Sequence, residues 1–280
     1  PLYSSAASDV YKRQIHNPND YICKNLKLVM TAVIIIFVIH WYASLFFQTF
    51  FHHRYASHAM FTMSKAWEKI FHVLAWIFQG SSYLSPYTYG VMHRHHHAYA
   101  DTEKDPHSPQ YDPNFFAMMW RTRIVYNEID HDKTQVLEKF KKGVPSWRSW
   151  DRFAGNNAVR LAWVIIYILI YVAVDAPLWT YFVFIPMQVL MSPLHGVIIN
   201  WFSHKLGYRN YDVGDTSTNL MPIDWLMWGE CLHNNHHKFG GRPNFAIKKW
   251  EFDPMYPCIW AMNKLNIIQF NKGKLDTDYM

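Results

Sequence analysis

The stretch His-Asn-Asn-His-His at residues 233–237 organises this chain of 280 residues, because an earlier stretch, His-Arg-His-His-His at residues 93–97, repeats its spacing. Both stretches have the pattern H-x-x-H-H. On a helix, positions i, i+3 and i+4 lie on one face, so each stretch can direct three imidazoles toward a single point. Imidazoles that converge in this way form a chelating geometry, and we predict that both stretches bind metal.

Two further stretches supply side chains of the same kind. HRYASH at residues 53–58 contains an H-x4-H pair, and NWFSH at residues 200–204 places an amide and an imidazole one helical turn apart. Together the four stretches provide nine candidate ligands: His53, His58, His93, His96, His97, His204, His233, His236 and His237. One zinc ion takes about four ligands, so nine imidazoles suit two metal ions. The sequence therefore predicts a dimetal centre.

Long apolar segments are typical of an integral membrane protein. Residues 28–51 contain no Lys, Arg, Asp or Glu, and about 20 apolar residues suffice for a helix to cross the hydrocarbon core. Residues 161–176 and 178–200 form a second apolar block with a tight hairpin at residues 175–177, which predicts two more spans. We predict an all-α fold: a membrane helical bundle with a cytoplasmic helical cap that carries the histidine-rich dimetal site.

The apolar stretch at residues 67–89 is interrupted by Gly, Ser and Pro at residues 80–86. If it crossed the membrane, the first two histidine stretches would face opposite sides and could not share metal ions. We therefore predict an interfacial or re-entrant helix pair. The excess of Lys and Arg in residues 121–152 predicts that this region is cytoplasmic. The histidine stretches would then lie on the cytoplasmic face of a multi-pass membrane protein.

The composition of the chain bears on its domain content, its partners and the state of its cysteines. Residues 1–14, PLYSSAASDVYKRQ, resemble a translated adapter remnant, so we assign a single domain to residues 15–280. The net charge of +6 is accompanied by no nucleic-acid recognition motif, which favours membrane lipid or an acidic protein as partner and excludes nucleic acid. The three cysteines have no CxxC spacing, and reduced thiols are the simplest interpretation.

The motifs HRYASH, HRHHH and HNNHH, in this order around a hydrophobic hairpin, resemble the three histidine boxes of membrane fatty acid desaturases. The likeness is greatest to the stearoyl-CoA, or delta-9, type and its bacterial relatives. It extends to NWFSHKLGYRNYD, GECLHNNHH, DPHSP and WEFDP, and it covers residues 53–265. The resemblance implies an enzyme that uses O2 and two electrons to introduce a cis double bond into a saturated acyl chain.

The resemblance also implies a set of site residues. Two iron ions would be held by the nine histidines, with Asn200 as a further ligand through water. Iron suits the reaction because no side chain can oxidise an unactivated methylene, and neutral imidazoles leave positions open for oxygen. Ligating histidines nearly always donate their other N–H to an acceptor. Glu230, just ahead of the third box, and Asp105 are the carboxylates best placed in sequence for this role, with a turn cap as the alternative for Asp105. Arg121 and Arg123 are candidate contacts for a phosphate-bearing substrate, or else part of a solvated basic face.

Departures from the family pattern leave some partners open. Val91 and Met92 stand where animal acyl-CoA relatives carry an Arg-Asp pair, so the acyl carrier is either CoA or a lipid. No HPGG haem motif occurs, which predicts an external electron donor such as ferredoxin or cytochrome b5. Two alternatives remain: a related di-iron hydroxylase of lipid, alkane or carotenoid, and, more distantly, a membrane protein that binds or transports metal.

Overall fold

The structure, a computed structural model, describes residues 18–271, with side chains from residue 25 onward. The described chain is mostly helical, which confirms the predicted class. The only strands among these residues are β1 (Phe61–Met63) and β2 (Ile268–Phe270), which pair antiparallel and add a small element to the all-α prediction. The segment predicted to be non-native, residues 1–14, lies outside the described residues.

The first helix, α1 (Pro18–Phe47), continues directly into a π-helical segment, Gln48–Ser57. On its outer face Ile35 and Ile39 are 51% and 61% exposed, and such contiguous exposed apolar side chains mark a surface that contacts lipid or protein. Within the described part of the chain, Asn25–Ser57 is the one unbroken helix long and apolar enough to cross a membrane. It contains the span predicted at residues 28–51.

Helices α2 (Lys65–Gln79) and α3 (Pro86–Tyr99) occupy the stretch for which a helix pair was predicted. Helix α2 runs antiparallel to the end of α1. The Tyr55 hydroxyl donates a hydrogen bond to Glu68 near the start of α2, and Phe47 stacks on Phe78 near its end. A 3-10 turn at residues 80–82 then reverses the chain. The second histidine box is thereby returned to the end of α1 that carries the first box. The position of this helix pair at a membrane interface stays a prediction.

The remaining helices complete the fold around the boxes. In chain order they are α4 (Phe115–Asp130), α5 (Glu138–Lys141), α6 (Arg148–Ala154), α7 (Asn157–Ala173), α8 (Leu178–Val189), α9 (Met191–Gly196), α10 (His233–Lys238) and α11 (Met255–Lys264). A π-helical turn, Val197–Trp201, and a 3-10 turn, Phe202–His204, follow α9.

The predicted hairpin is formed by α7 and α8, but both arms are bent. The pair Arg148–Ala154 and Asn157–Ala173 bends by 50°, and the pair Leu178–Val189 and Met191–His204 bends by 67°. Pro193 accounts for the second bend, because a proline ring clashes with the carbonyl four residues earlier, at the position where α8 ends. By length and composition, the described residues therefore offer one span, or up to three if each bent pair is one span.

Gly229 occupies a position that only glycine fits, directly before Glu230. Its φ angle is +92°, and an added Cβ atom would lie 2.0 Å from the Oδ1 atom of Asp253. Gly214 has a similar φ angle of +79°, but a Cβ atom there would meet no atom within 4 Å. The two glycines therefore share the backbone constraint and differ in the space available.

We expect Gly229→Ala to lower the thermal unfolding temperature of the detergent-solubilised protein much more than the matched control Gly214→Ala. Both variants place alanine in a left-handed conformation, at a cost of about 1–2 kcal/mol. Only Gly229→Ala also drives a side chain into a buried carboxylate. Equal melting temperatures for the two variants would contradict the close packing of Gly229 on Asp253.

Candidate metal centre

The π-helical winding of residues 48–57 explains the five-residue spacing of the first box. In a π-helix the backbone hydrogen bond joins residues i and i+5, and the N–H of His58 donates to the carbonyl of His53 over 3.2 Å. Residues five apart therefore lie on the same face. The His53 and His58 ring centroids are 5.0 Å apart, whereas α-helical winding would turn them away from each other.

The nine predicted histidines are brought together in two groups. The ligand nitrogens within each group lie within 4.8 Å of one another. The first group, here the five-histidine group, contains His53, His58, His93, His97 and His236. The second, here the four-histidine group, contains His96, His204, His233 and His237.

Each H-x-x-H-H box is divided between the two groups, so the expectation that its three imidazoles converge on one point is wrong. In the second box, His93 and His97 join the five-histidine group and His96 joins the other. The third box does the reverse, sending only His236 to the five-histidine group. The reason is helical geometry: with 3.6 residues per turn, neighbouring positions i+3 and i+4 point about 100° apart.

In the five-histidine group the Nε2 atoms face a common centre. The Nε2–Nε2 distance is 2.9 Å from His53 to His236, 2.9 Å from His236 to His97 and 3.0 Å from His97 to His93. His58 Nε2 lies 2.9 Å from His93 Nε2. Two imidazole nitrogens about 2.1 Å from one metal ion lie about 3.0 Å apart if their bonds to the ion are at right angles, and about 3.4 Å apart if the ion is tetrahedral. The spacing of these atoms therefore fits a shared metal ion.

The four-histidine group has the same organisation with slightly wider spacing. His204 Nε2 lies 3.2 Å from His233 Nε2, and His96 Nε2 lies 3.4 Å from His237 Nε2. All four side chains are nearly inaccessible to solvent. Nitrogen lone pairs that face one another in a buried space are stabilised by a cation between them, and imidazole suits iron, copper, nickel and zinc. The donor set therefore fits iron without specifying it.

Carboxylates hold the outer nitrogen of four of these rings. Each contact joins an Nδ1 atom to an acidic side chain: His53 to Glu230 at 2.5 Å, His96 to Asp105 at 2.9 Å, His204 to Asp101 at 3.3 Å, and His237 to Asp215 at 2.7 Å. This carboxylate–histidine arrangement fixes the ring orientation and the tautomer of metal-binding histidines, leaving the Nε2 lone pair for the ion.

The electrostatics keep five of the rings neutral and three of the paired aspartates ionised. Burial, followed by the neighbouring histidines, lowers the pKa of His93, His97, His233 and His236 well below its usual range. Burial likewise lowers the pKa of His237 to about 4, although Asp215 opposes the shift. For Asp101, Asp105 and Asp215 burial acts against ionisation, but the paired histidine and the donated hydrogen bonds outweigh it and lower the pKa. Neutral imidazole is the form that binds metal.

Glu230 is held in turn by a buried ionic network. Arg54, which is fully buried, donates from Nη1 to Glu230 over 2.8 Å and from Nη2 to Asp253 over 2.9 Å. Its guanidinium also lies 3.9 Å from the centre of the Phe245 ring. Burial opposes ionisation of Glu230, but His53 and Arg54 together lower its pKa. The Glu230 carboxylate is therefore held in a fixed position beside the His53 ring.

The other predicted site residues occupy different surroundings. Asn200 lies in the π-helical turn Val197–Trp201, four residues before His204, and its role as a ligand through water stays a prediction. Arg121 donates to Asp112 and to the carbonyls of Asp105 and Ser108, which fixes the loop after the second box. Arg123 is exposed beside Trp120. Substrate contacts by Arg121 or Arg123 stay a prediction.

Sequence reasoning identified Glu230 and Asp105 but missed two other acceptors. Asp101 lies four residues after the second box, in the same polar loop as Asp105, so its position offered a signal. Asp215 offered none, because its contact with His237 spans 22 residues. His107 was also missed: it is buried, and its ring centroid lies 4.4 Å from that of His96.

Comparison with known proteins agrees with this geometry. The family model described as fatty acid desaturase matches residues 27–257, which include every histidine of both groups. The chain belongs to the fatty acid desaturase family. It is accordingly an oxidoreductase that acts on fatty acyl chains. The family is membrane-associated, in agreement with the long apolar helix α1.

Individual relatives act on differently attached acyl chains. The sn-1 stearoyl-lipid 9-desaturase of Anabaena variabilis is 27% identical over 84% of this chain and 82% of its own. The hex-5-enoyl-[acyl-carrier protein] acetylenase of Moorena producens is 27% identical over 77% of this chain and 69% of its own. The acyl-CoA C20 Delta5-desaturase of Anemone leveillei is 28% identical over 83% of this chain and 71% of its own. Similarity to these proteins therefore does not select one acyl carrier.

We expect Asp215→Asn to weaken metal binding about 10- to 100-fold, the usual effect of losing such a partner of a ligating histidine. Iron retained per protein during titration with a chelator measures the change. Asp212→Asn is the matched control, because the Asp212 side chain is 99% exposed and lies three residues away. Iron retention equal to that of the control would show that the Asp215 contact is dispensable.

The metal-depleted protein should lose stability as the pH falls from about 6.5 toward 4. An imidazole in the unfolded chain has a pKa of 6.5, whereas that of folded His237 is about 4. Between these values the unfolded chain binds more protons, so acidification favours unfolding, while above pH 6.5 the contribution is fully retained. Thermal unfolding in one detergent across this range measures the effect. An unfolding temperature that stays constant from pH 7 to 5 would contradict the neutral state of the buried rings.

Proposed function

We propose that the protein is an O2-dependent membrane desaturase that introduces a cis double bond, at the delta-9 position, into a saturated acyl chain at a di-iron centre. The observation that carries this proposal is the pair of buried histidine groups with carboxylates on their outer nitrogens. The position of the double bond is inferred from the name of the Anabaena variabilis relative, a stearoyl-lipid 9-desaturase.

The proposed ligands follow the two groups. The five-histidine group would hold one iron ion, and the four-histidine group would hold the other with Asn200 contributing through water. Bound iron supplies the activation of O2 that an unactivated methylene requires. Over the whole reaction, O2, two electrons and two protons are consumed, the acyl chain loses two hydrogen atoms, and two molecules of water are formed.

The protein's own residues provide orientation and exclusion of water. Asp101, Asp105 and Asp215 accept the Nδ1 proton of their histidines, and the Glu230 carboxylate lies 2.5 Å from Nδ1 of His53, so that each Nε2 stays directed inward. Burial of both groups keeps bulk water from the reacting methylenes, which limits side reactions of a strong oxidant. The acyl chain would reach the two histidine groups from the side of the apolar helices. The length and position of the acyl chain would then select the methylene pair that reacts.

The partners and location are part of the same proposal. The acyl group is carried by CoA or by a lipid, and the relatives named above include both kinds. Electrons come from a separate protein such as ferredoxin or cytochrome b5. The chain would be a multi-pass protein of a bacterial inner membrane, a single domain over residues 15–280, with its metal centre on the cytoplasmic face.

The test is a fatty-acid profile from a bacterial host that expresses residues 15–280 together with a ferredoxin or cytochrome b5 donor. We expect a new cis-9 monoenoic acid, with the double bond located by mass spectrometry. A hydroxylated product would instead support the related hydroxylase. An unchanged profile from protein that holds two irons per chain and receives electrons would contradict desaturation of the host's acyl chains.

His97→Ala should abolish formation of the double bond while leaving most of the protein folded, because one ligand is lost from an otherwise intact cluster. His131→Ala is the matched control, since this histidine is exposed and lies outside both groups. Product yield, iron content and size-exclusion profile are measured together. Full turnover by the His97→Ala protein would remove His97 from the proposed ligands.

A further inference from the structure

An exposed apolar patch lies on the loop that precedes the third histidine box. Ile223, Trp225 and Leu226 are 52%, 59% and 43% exposed, and Phe252 of the WEFDP motif is 38% exposed beside them. The Trp225 and Phe252 rings are 5.6 Å apart. These four side chains form the loop patch. The metal centre uses none of them.

Hydrogen bonds of Asp224 fix the loop in the conformation that exposes the loop patch. Buried Asp224 accepts hydrogen bonds from the N–H groups of Met227 at 2.8 Å and Cys231 at 2.7 Å, which closes the loop on itself. The N–H of Asp224 donates to the carbonyl of Phe252 over 3.3 Å. Trp225 is therefore presented outward by a loop that is fixed on both sides.

The inner side of the same loop packs against the apolar helix α1. The Trp228 ring lies 6.2 Å from Tyr42 and 6.3 Å from Phe46, and buried Met227 clusters with Leu45. These α1 residues belong to Asn25–Ser57, the helix able to cross a membrane. Phe46 precedes His53, the first histidine of the first box, by seven residues. The loop that carries the patch thus packs on α1, the helix able to cross a membrane, before the first histidine box begins.

Charge beside the loop patch matches the surface of a membrane. Lys248 and Lys249 are exposed and lie just before Phe252 in the chain, and Trp250 between them and the patch is 53% exposed. Tryptophan is enriched where apolar chains meet lipid headgroups, and lysines near that level are attracted to anionic lipid. A patch of apolar residues bordered by lysines is the arrangement expected at that boundary.

We propose that the loop patch docks into the interfacial region of a lipid bilayer, with Trp225 and Leu226 at the boundary between headgroups and acyl chains. The occupant is the lipid surface itself, continuous with the lipid around α1. The loop connects at Gly229 and Glu230 to the third box. The bilayer would therefore support, through a rigid loop, the segment that carries the carboxylate partner of His53. This inference does not depend on the position of the double bond.

The test places one nitroxide label at a time on the full chain in nanodiscs of phosphatidylcholine and phosphatidylglycerol. The labelled position is Leu226→Cys, in a background with Cys23→Ser and Cys258→Ser; Cys231 is buried and is retained. Collision rates with O2 and with a water-soluble nickel chelate are compared by electron paramagnetic resonance. Ile39→Cys on α1 is the lipid reference, and Asp212→Cys is the aqueous reference.

We expect the ratio of O2 to nickel collisions at Leu226→Cys to exceed the ratio at Asp212→Cys severalfold and to approach that at Ile39→Cys. A ratio equal to the aqueous reference, with Ile39→Cys in lipid, would overturn the proposal. An aqueous ratio at Ile39→Cys would overturn it as well, because α1 would then not be in the bilayer. Since Leu226 is exposed, its replacement opens no cavity, and a wild-type size-exclusion profile verifies the fold of each labelled protein.

Discussion

A buried arginine holds together the parts of the chain that form the metal centre. Arg54 lies inside the first histidine box and binds Glu230, ahead of the third box, and Asp253, in the WEFDP motif. Because all three charges are withdrawn from water, loss of one partner would leave an uncompensated charge at a cost of about 3–5 kcal/mol. Glu230 also contacts the His53 ring. The ionic network therefore fixes both the packing of distant segments and the direction of a proposed ligand.

Features that depend on local geometry could be predicted from the sequence. The two H-x-x-H-H boxes identified six of the nine imidazoles, since residues three and four apart on a helix are neighbours whatever the rest of the fold does. The other three, His53, His58 and His204, came from the stretches HRYASH and NWFSH. Glu230 and Asp105 were identified because they stand close to a box in sequence. The apolar run at residues 28–51 predicted the long helix α1, because a segment of that length and composition has few other solutions.

Features that depend on the docking of distant segments could not be predicted. Asp215 meets His237 across 22 residues with no motif to relate the two, and Asp101, although close to the second box in sequence, meets His204, which is 103 residues away. The role of Arg54 was missed because its two carboxylate partners lie 176 and 199 residues away. The division of each box between two groups also escaped, because helical periodicity says which faces residues occupy but not what each face meets.

That division makes the two histidine groups mechanically dependent on each other. Helix α3 contributes two rings to the five-histidine group and one to the other, and helix α10 contributes one and two. An ion bound in either group would hold both helices in the positions that complete the neighbouring group. A second ion would then order less of the chain, so its binding would have a smaller conformational entropy cost. Loading with metal should consequently be cooperative, with protein that holds a single ion a minor species at partial occupancy.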